Sequence, residues 1–149
     1  MRALFFCSFI VLLLSSCIEK TDSKLEITNN LNFDLYVIVY DTSSLFDYPN
    51  EVLNLDKDFV KQRSTKKQRV FNRTWEDFIN NARNKRINLF LVDARVMDKY
   101  KKEEIIRREL YVKVLSFSLE EMNRFRWKVV IDTTMPNLKY YPSDTLNNF

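Results

Sequence analysis

The sequence predicts an α+β domain, a mostly antiparallel β-sheet covered by two short helices. Three observations predict it: short runs rich in aromatic and β-branched residues, two capped segments with helical apolar spacing, and short connections between most strands. There is no internal repeat and no low-complexity tract.

Leu25 and Ile27 alternate with Glu26 and Thr28, and Phe33-Asp34-Leu35-Tyr36-Val37-Ile38-Val39-Tyr40 has strand composition, so two strands flank a turn at Asn29-Asn30-Leu31-Asn32. Residues 41–54 carry Ser43-Ser44, Pro49 and apolar residues without a sustained period, which reads as a loop packed by Leu45, Phe46 and Tyr48. Thr74 precedes the acids Glu76 and Asp77, and Trp75, Phe78, Ile79 and Ala82 fall at i, i+3, i+4 and i+7. That is an amphipathic helix with an N-cap, and Arg83, Lys85 and Arg86 suit the carbonyls at its end. Ile87-Asn88-Leu89-Phe90-Leu91-Val92 is apolar on nearly both faces and predicts a central strand closed by Asp93. From Arg107 onward, Leu110, Val112 and Val114 alternate with Glu109, Tyr111 and Lys113, predicting a strand whose even positions face inward. Ser118-Leu119-Glu120-Glu121 forms a capping box, with Phe117 and Met122 placed as a hydrophobic staple, so the second helix starts there. Trp127, Val129 and Ile131 then alternate inward along a last strand, and Pro136 and Pro142 mark an irregular tail.

Ahead of these elements lies a different kind of segment. One charge at Arg2 is followed by an uncharged apolar run over residues 3–14, the order of a signal peptide. As a helix that run reaches about 18 Å, short of the roughly 30 Å hydrocarbon core a spanning helix must cross. It ends in Leu14-Ser15-Ser16-Cys17, a lipobox pattern of a branched residue, two small residues and a cysteine thiol able to carry lipid. The expected organisation is a signal peptide over 1–16, an acylated Cys17 with a short tether over 17–24, one globular domain over 25–135 and an irregular tail over 136–149. Several acyl chains on Cys17 hold more firmly than a single chain, so the expected partner is a membrane and the expected location the cell envelope, at the outer membrane. Ile18 is not the acid that would suggest inner-membrane retention, and either face of the outer membrane stays open.

Removing 16 of 149 residues leaves 133, enough for one domain with a real core. Loss of Arg2 lowers Lys plus Arg from 24 to 23 against 20 acids, a mature charge of +3. Cys7 leaves with the signal and Cys17 is acylated, so no thiol remains for a disulfide, metal or nucleophile. With no histidine there is no Ser-His-Asp or Cys-His catalysis and no imidazole ligand. With no glycine there is no P-loop, dinucleotide fingerprint or nucleophile elbow. No cofactor is expected. Left-handed turn positions must fall to other residues, and among 14 asparagines Asn29-Asn30, Asn80-Asn81 and Asn147-Asn148 are the candidates.

Ile27-Thr28-Asn29 leading to the Tyr36 strand, the Trp75 helix, Leu89-Phe90-Leu91-Val92-Asp93, and Ser118-Leu119-Glu120-Glu121-Met122-Asn123 before Trp127 together resemble a family of short lipoproteins common in Bacteroidales bacteria. The resemblance spans most of the mature chain in short motifs, with Asp132 where that family usually has a proline. It implies a mixed fold and an envelope location, and no activity.

Catalysis would have to rest on carboxylates, as in a glycoside hydrolase with two acids about 5 Å apart or roughly 6.5–9.5 Å apart. Asp56/Asp58, Glu76/Asp77, Glu103/Glu104 and Glu120/Glu121 are near in sequence, but neighbours on a helix do not face each other, and four of these acids are explained as first-turn residues. A carboxylate hydrolase is therefore the rival to the favoured reading, a non-enzymatic binding or structural accessory. The one strongly biased run is Lys61, Arg63, Lys66, Lys67, Arg69 and Arg73, with no acid among residues 61–73. It suits an anionic glycan, lipopolysaccharide phosphates or anionic headgroups, though a solvated edge strand or loop is the favoured reading; export argues against nucleic acid. Tyr36, Tyr40, Tyr48, Tyr100, Tyr140 and Tyr141 could stack on sugars if exposed together, or serve the core and its rim.

Overall fold

Residues 21–40 and 59–141 are described by this computed structural model, and they adopt the α+β class that the sequence predicts. The strands are β1 (Thr21–Asp22), β2 (Glu26–Asn29), β3 (Leu35–Tyr40), β4 (Phe59–Val60), β5 (Ser64–Lys67), β6 (Val70–Phe71), β7 (Arg86–Asp93), β8 (Lys113–Ser118) and β9 (Lys128–Ile131). The helices are α1 (Trp75–Asn81), α2 (Ala94–Lys99), α3 (Lys102–Arg107) and α4 (Leu119–Arg124). A four-stranded antiparallel sheet has the order β4-β3-β7-β8, a three-stranded one β5-β2-β9, and β1 pairs with β6. Every pairing is antiparallel except β2 with β9.

The apolar β7 is the inner strand its composition predicts, flanked by β3 and β8 and covered on both faces. On one face Ile87, Leu89 and Leu91, with Leu35 and Val37 of β3, meet Ile27, Val129 and Ile131 of the three-stranded sheet and Trp75, Ile79 and Met122 of α1 and α4. On the other, Phe90 and Val92, with Ile38 and Tyr40, meet Val96, Ile105 and Ile106 of α2 and α3. The middle sheet thus separates two apolar clusters, and Tyr141 in the tail packs against both.

The strands either side of Asn29 do not form a hairpin, because β2 and β3 belong to different sheets. Asn29, fully buried, makes the corner: its Oδ1 accepts from Leu31 N at 3.0 Å, and its Nδ2 donates to Phe33 O at 2.9 Å and Val60 O at 3.2 Å. The amide therefore satisfies three backbone groups that the corner would otherwise leave bare.

Four expectations about these elements need correction. The left-handed positions among the described residues are Arg63, Asn72, Lys85, Glu109, Arg126, Trp127 and Asn137, not the asparagine pairs. Asn29 is spent on the corner, Asn80 and Asn81 lie in α1, and Asn147-Asn148 lies outside the described residues. The strand read from Arg107 begins only at Lys113, and its phase is reversed: Leu115 and Phe117 pack inward while Val114 is exposed. Residues 107–112 end α3 and turn, so alternation there has no pleat beneath it. Arg86 does not serve the end of α1 but opens β7, and Lys85 donates to Asn80 O instead. Among the described residues the helices number four, since α2 and α3 occupy the stretch after Asp93. The segment 41–54 and Asp56, Asp58, Cys7 and Cys17 lie outside the described residues.

Candidate functional site

The basic run over 61–73 is divided by the pleat and length of β5. Antiparallel pairing sets Ser64 opposite Asn29 and Lys67 opposite Glu26, so the run travels from one end of the sheet to the other. Lys61 and Arg63 are exposed at the far end, in the turn before β5. Lys66 shares a face with Ile27, and its Nζ donates to Phe59 O at 2.9 Å. An inward-pointing lysine on an edge strand opposes further strand addition. Lys67 points to the outer face, 3.6 Å from Glu26 Oε1. Arg69 and Arg73 flank β6 and are exposed, with the Arg73 guanidinium 4.4 Å from the Phe78 ring centre. Among the described residues Lys61, Arg63, Arg69 and Arg73 form no ion pair.

Residues 21–24, read from sequence as tether, are built into the domain. Thr21 lies opposite Phe71 and Asp22 opposite Val70. The Asp22 carboxylate accepts from Lys24 N at 3.1 Å through Oδ1 and from Trp75 N at 3.0 Å through Oδ2. Trp75 is the first residue of α1, whose N-cap Thr74 exchanges capping-box bonds with Asp77. Asp22 thus supplies an acceptor to a helix start 53 residues away. Lys24 bonds Glu76 and lies 4.0 Å over the Trp127 ring, while Glu26 N donates to Trp127 O at 2.8 Å.

The joint between α4 and β9 reaches the same end. Ser118 Oγ accepts from Glu121 N at 3.2 Å, and Glu121 Oε2 accepts from Ser118 N at 2.7 Å and from Arg86 Nη2 at 2.8 Å. The Ser118 amide first, then its hydroxyl and the Arg86 charge, hold the Glu121 carboxyl below the usual range against a smaller opposing effect of burial. Met122 and Phe117 pack together in the first cluster, as a staple should. After Arg124 the chain reverses through two consecutive left-handed residues, Arg126 and Trp127, closed by Trp127 N to Met122 O at 2.9 Å. Each such residue costs roughly 1–2 kcal/mol, and burial of the Trp127 ring with its Nε1 donating to Asn123 Oδ1 offsets it. The reversal leaves Phe125 42% exposed between the exposed Arg124 and Arg126.

One end of the molecule therefore gathers Lys24, Arg69, Arg73, Arg124, Arg126 and Lys128 around the strapped tether. Asp22, Glu26 and Glu76 there are engaged by Lys24, Lys67 and Lys128. Sequence reasoning missed Arg124, Arg126 and Lys128. The signal was the alternation Arg124-Phe125-Arg126-Trp127-Lys128, which strand periodicity absorbed.

Four of the paired acids hold structure. Asp77 and Glu121 close capping boxes, Glu76 bonds Lys24, and Glu104 bonds Arg108 at 2.8 Å. Of the tyrosines, Tyr36, Tyr40, Tyr100 and Tyr141 pack in or against the second cluster, Tyr36 on Phe59 and Tyr40 on Phe90, while Tyr140 packs on Phe33. Tyr48 lies outside the described residues. No family model, curated protein or solved structure matches the chain. Among the described residues no helix is long and apolar enough to cross a membrane.

Proposed function

We propose that this chain is a cell-envelope lipoprotein, cut before Cys17, acylated there and held at the outer membrane as a non-enzymatic binding or structural accessory. The observation that carries the reading is Leu14-Ser15-Ser16-Cys17 at the end of an uncharged apolar run. Its resemblance to the Bacteroidales lipoproteins belongs to the same proposal. An anionic partner, either a glycan or lipopolysaccharide, suits the unpaired arginines of the anchor-side end. Support for an accessory role also comes from the carboxylates, which are bound into caps and ion pairs.

The test is Cys17→Ala. The substituted chain should leave the membrane fraction and retain residues 1–16, while the wild-type N-terminal peptide should carry acyl mass. An unmodified wild-type peptide with unchanged fractionation would remove the reading.

A further inference from the structure

We propose that the end bearing Arg69, Arg73, Arg124 and Arg126 rests on the leaflet holding the anchor, its arginines on lipid phosphates and Phe125 in the headgroup interface. This rests on acylation at Cys17. The first argument is reach. Thr21 is fixed against Phe71, and only three residues separate it from Cys17. Four extended steps span at most about 14 Å, so a lipidated cysteine cannot be far from β1 and β6. In the antiparallel ladder the chain before Thr21 leaves toward the end of β6 that continues to Asn72 and Arg73.

The second argument is charge. Arg69, Arg73, Arg124 and Arg126 are exposed, and none is ion-paired among the described residues. Among the nearby acids of the described residues, Asp22, Glu26 and Glu76 have lysine partners, Asp77 is turned back on Thr74, Glu121 is engaged by Arg86, and Glu120 is exposed one turn before Arg124. Screening extends about 8 Å at physiological salt, so arginines held within that distance of the headgroups feel them.

The third argument is Phe125, a large apolar side chain left outside the core between two arginines at a chain reversal. Its ring meets Phe117 edge-on at 5.9 Å, which holds it in place while leaving it partly open. Aromatic and cationic side chains together suit the boundary between water and acyl chains. The opposite end, with Lys61, Arg63 and Thr133, points away from the bilayer in this orientation.

The test uses the acylated protein in vesicles. The mature chain has no free thiol, so one dye can be placed at Lys128→Cys beside the anchor end, or at Thr133→Cys beyond the far end of β9. Quenching by a nitroxide carried on the lipid then reports which end meets the surface. In vesicles containing phosphatidylglycerol, the dye at 128 should be quenched and that at 133 spared. Pure phosphatidylcholine, high salt, or joint replacement of Arg69, Arg73, Arg124 and Arg126 by glutamine should each weaken the difference, each arginine being worth roughly fivefold in occupancy. Equal quenching at both sites, or a difference untouched by salt and lipid charge, overturns the orientation. If the protein carries no acyl mass and does not float with vesicles, the anchoring reading fails instead.

Discussion

Asp22→Ala removes the acceptor that fastens residues 21–24 to the helix start at Trp75, together with the one that takes the Lys24 amide. The carboxylate is largely enclosed, with 18% of its side-chain surface exposed, and each oxygen serves a different backbone donor, at 3.1 and 3.0 Å. Loss of a helix-start acceptor costs about 0.5–2 kcal/mol, and a hydrogen bond to a charged group about 1.5–3 kcal/mol when no water replaces it. Water can reach the Lys24 amide once the strap loosens, so about 1 kcal/mol for each bond is the appropriate scale, about 2 kcal/mol together. The ion pair with Lys24 is long, at 3.7 Å, with the lysine side chain 30% exposed, and adds little. For a domain of this size, that total lowers the melting temperature by roughly 6–10 °C. Asp22→Asn separates geometry from charge. Its single oxygen can accept from one amide while its NH2 meets the other, so it should lose about half as much. Thermal melts followed by circular dichroism give the stability, and the rate of tryptic cleavage after Lys24 gives the strap. Slow cleavage and an unchanged melt in Asp22→Ala would show that the Asp22 carboxylate is not what fastens residues 21–24 to the domain.

Lys66→Ser and Lys67→Ser should behave differently although they are neighbours. The first loses a stem packed on the inner face and the bond to Phe59 O, about 1–2 kcal/mol in a urea titration, and the second changes stability by no more than about 0.5 kcal/mol; equal effects would contradict the assigned faces. Burial, aided by the Glu109 charge, pushes the Tyr111 phenol up to about 12. Below about pH 10 it is neutral in both folded and unfolded chains, so no stability is lost there. Between about 10 and 12 the unfolded chain ionises first, and stability should fall as pH rises through that window. Tyr111→Phe should flatten part of the fall, leaving the share of Tyr141, which burial and the Asp93 charge also raise. An unaltered alkaline profile would place Tyr111 in water.

Elements announced by two independent signals were legible. Thr74 and Ser118 each combine a cap with a partner acid and an apolar stripe, and α1 and α4 begin where those residues stand. The run before Asp93 needed no cap, because apolar residues on both faces imply covering on both sides. The helices α2 and α3 were not legible: each is six residues long and inserts only Val96, or Ile105 and Ile106, into the second cluster. Such short segments show no period. The inverted phase of β8 has a related cause, since the partly buried Leu110 and the buried Val112 are packed by a turn rather than by a strand. Left-handed residues were misassigned because local preference favours asparagine by only about a kilocalorie per residue, less than packing contributes at Trp127. Of the candidate surface, sequence found Arg69 and Arg73 but also joined them to Lys61 and Arg63. Only the register of β5 on β2 reveals that these belong to opposite ends.

The parallel pairing of β2 with β9 sets Glu26 beside Lys128, so the first strand of the three-stranded sheet waits for the last one synthesised. Closing a loop of roughly 100 residues carries a larger entropic cost than closing a hairpin and slows formation of such contacts. Until residues 128–131 emerge, Leu25 and Ile27 lack the Trp127, Val129 and Ile131 surface that completes their burial. In a nascent chain the three-stranded sheet therefore stays incomplete until that last strand is made. With the export and acylation at Cys17 proposed above, that delay suits passage through a secretion channel before the domain closes.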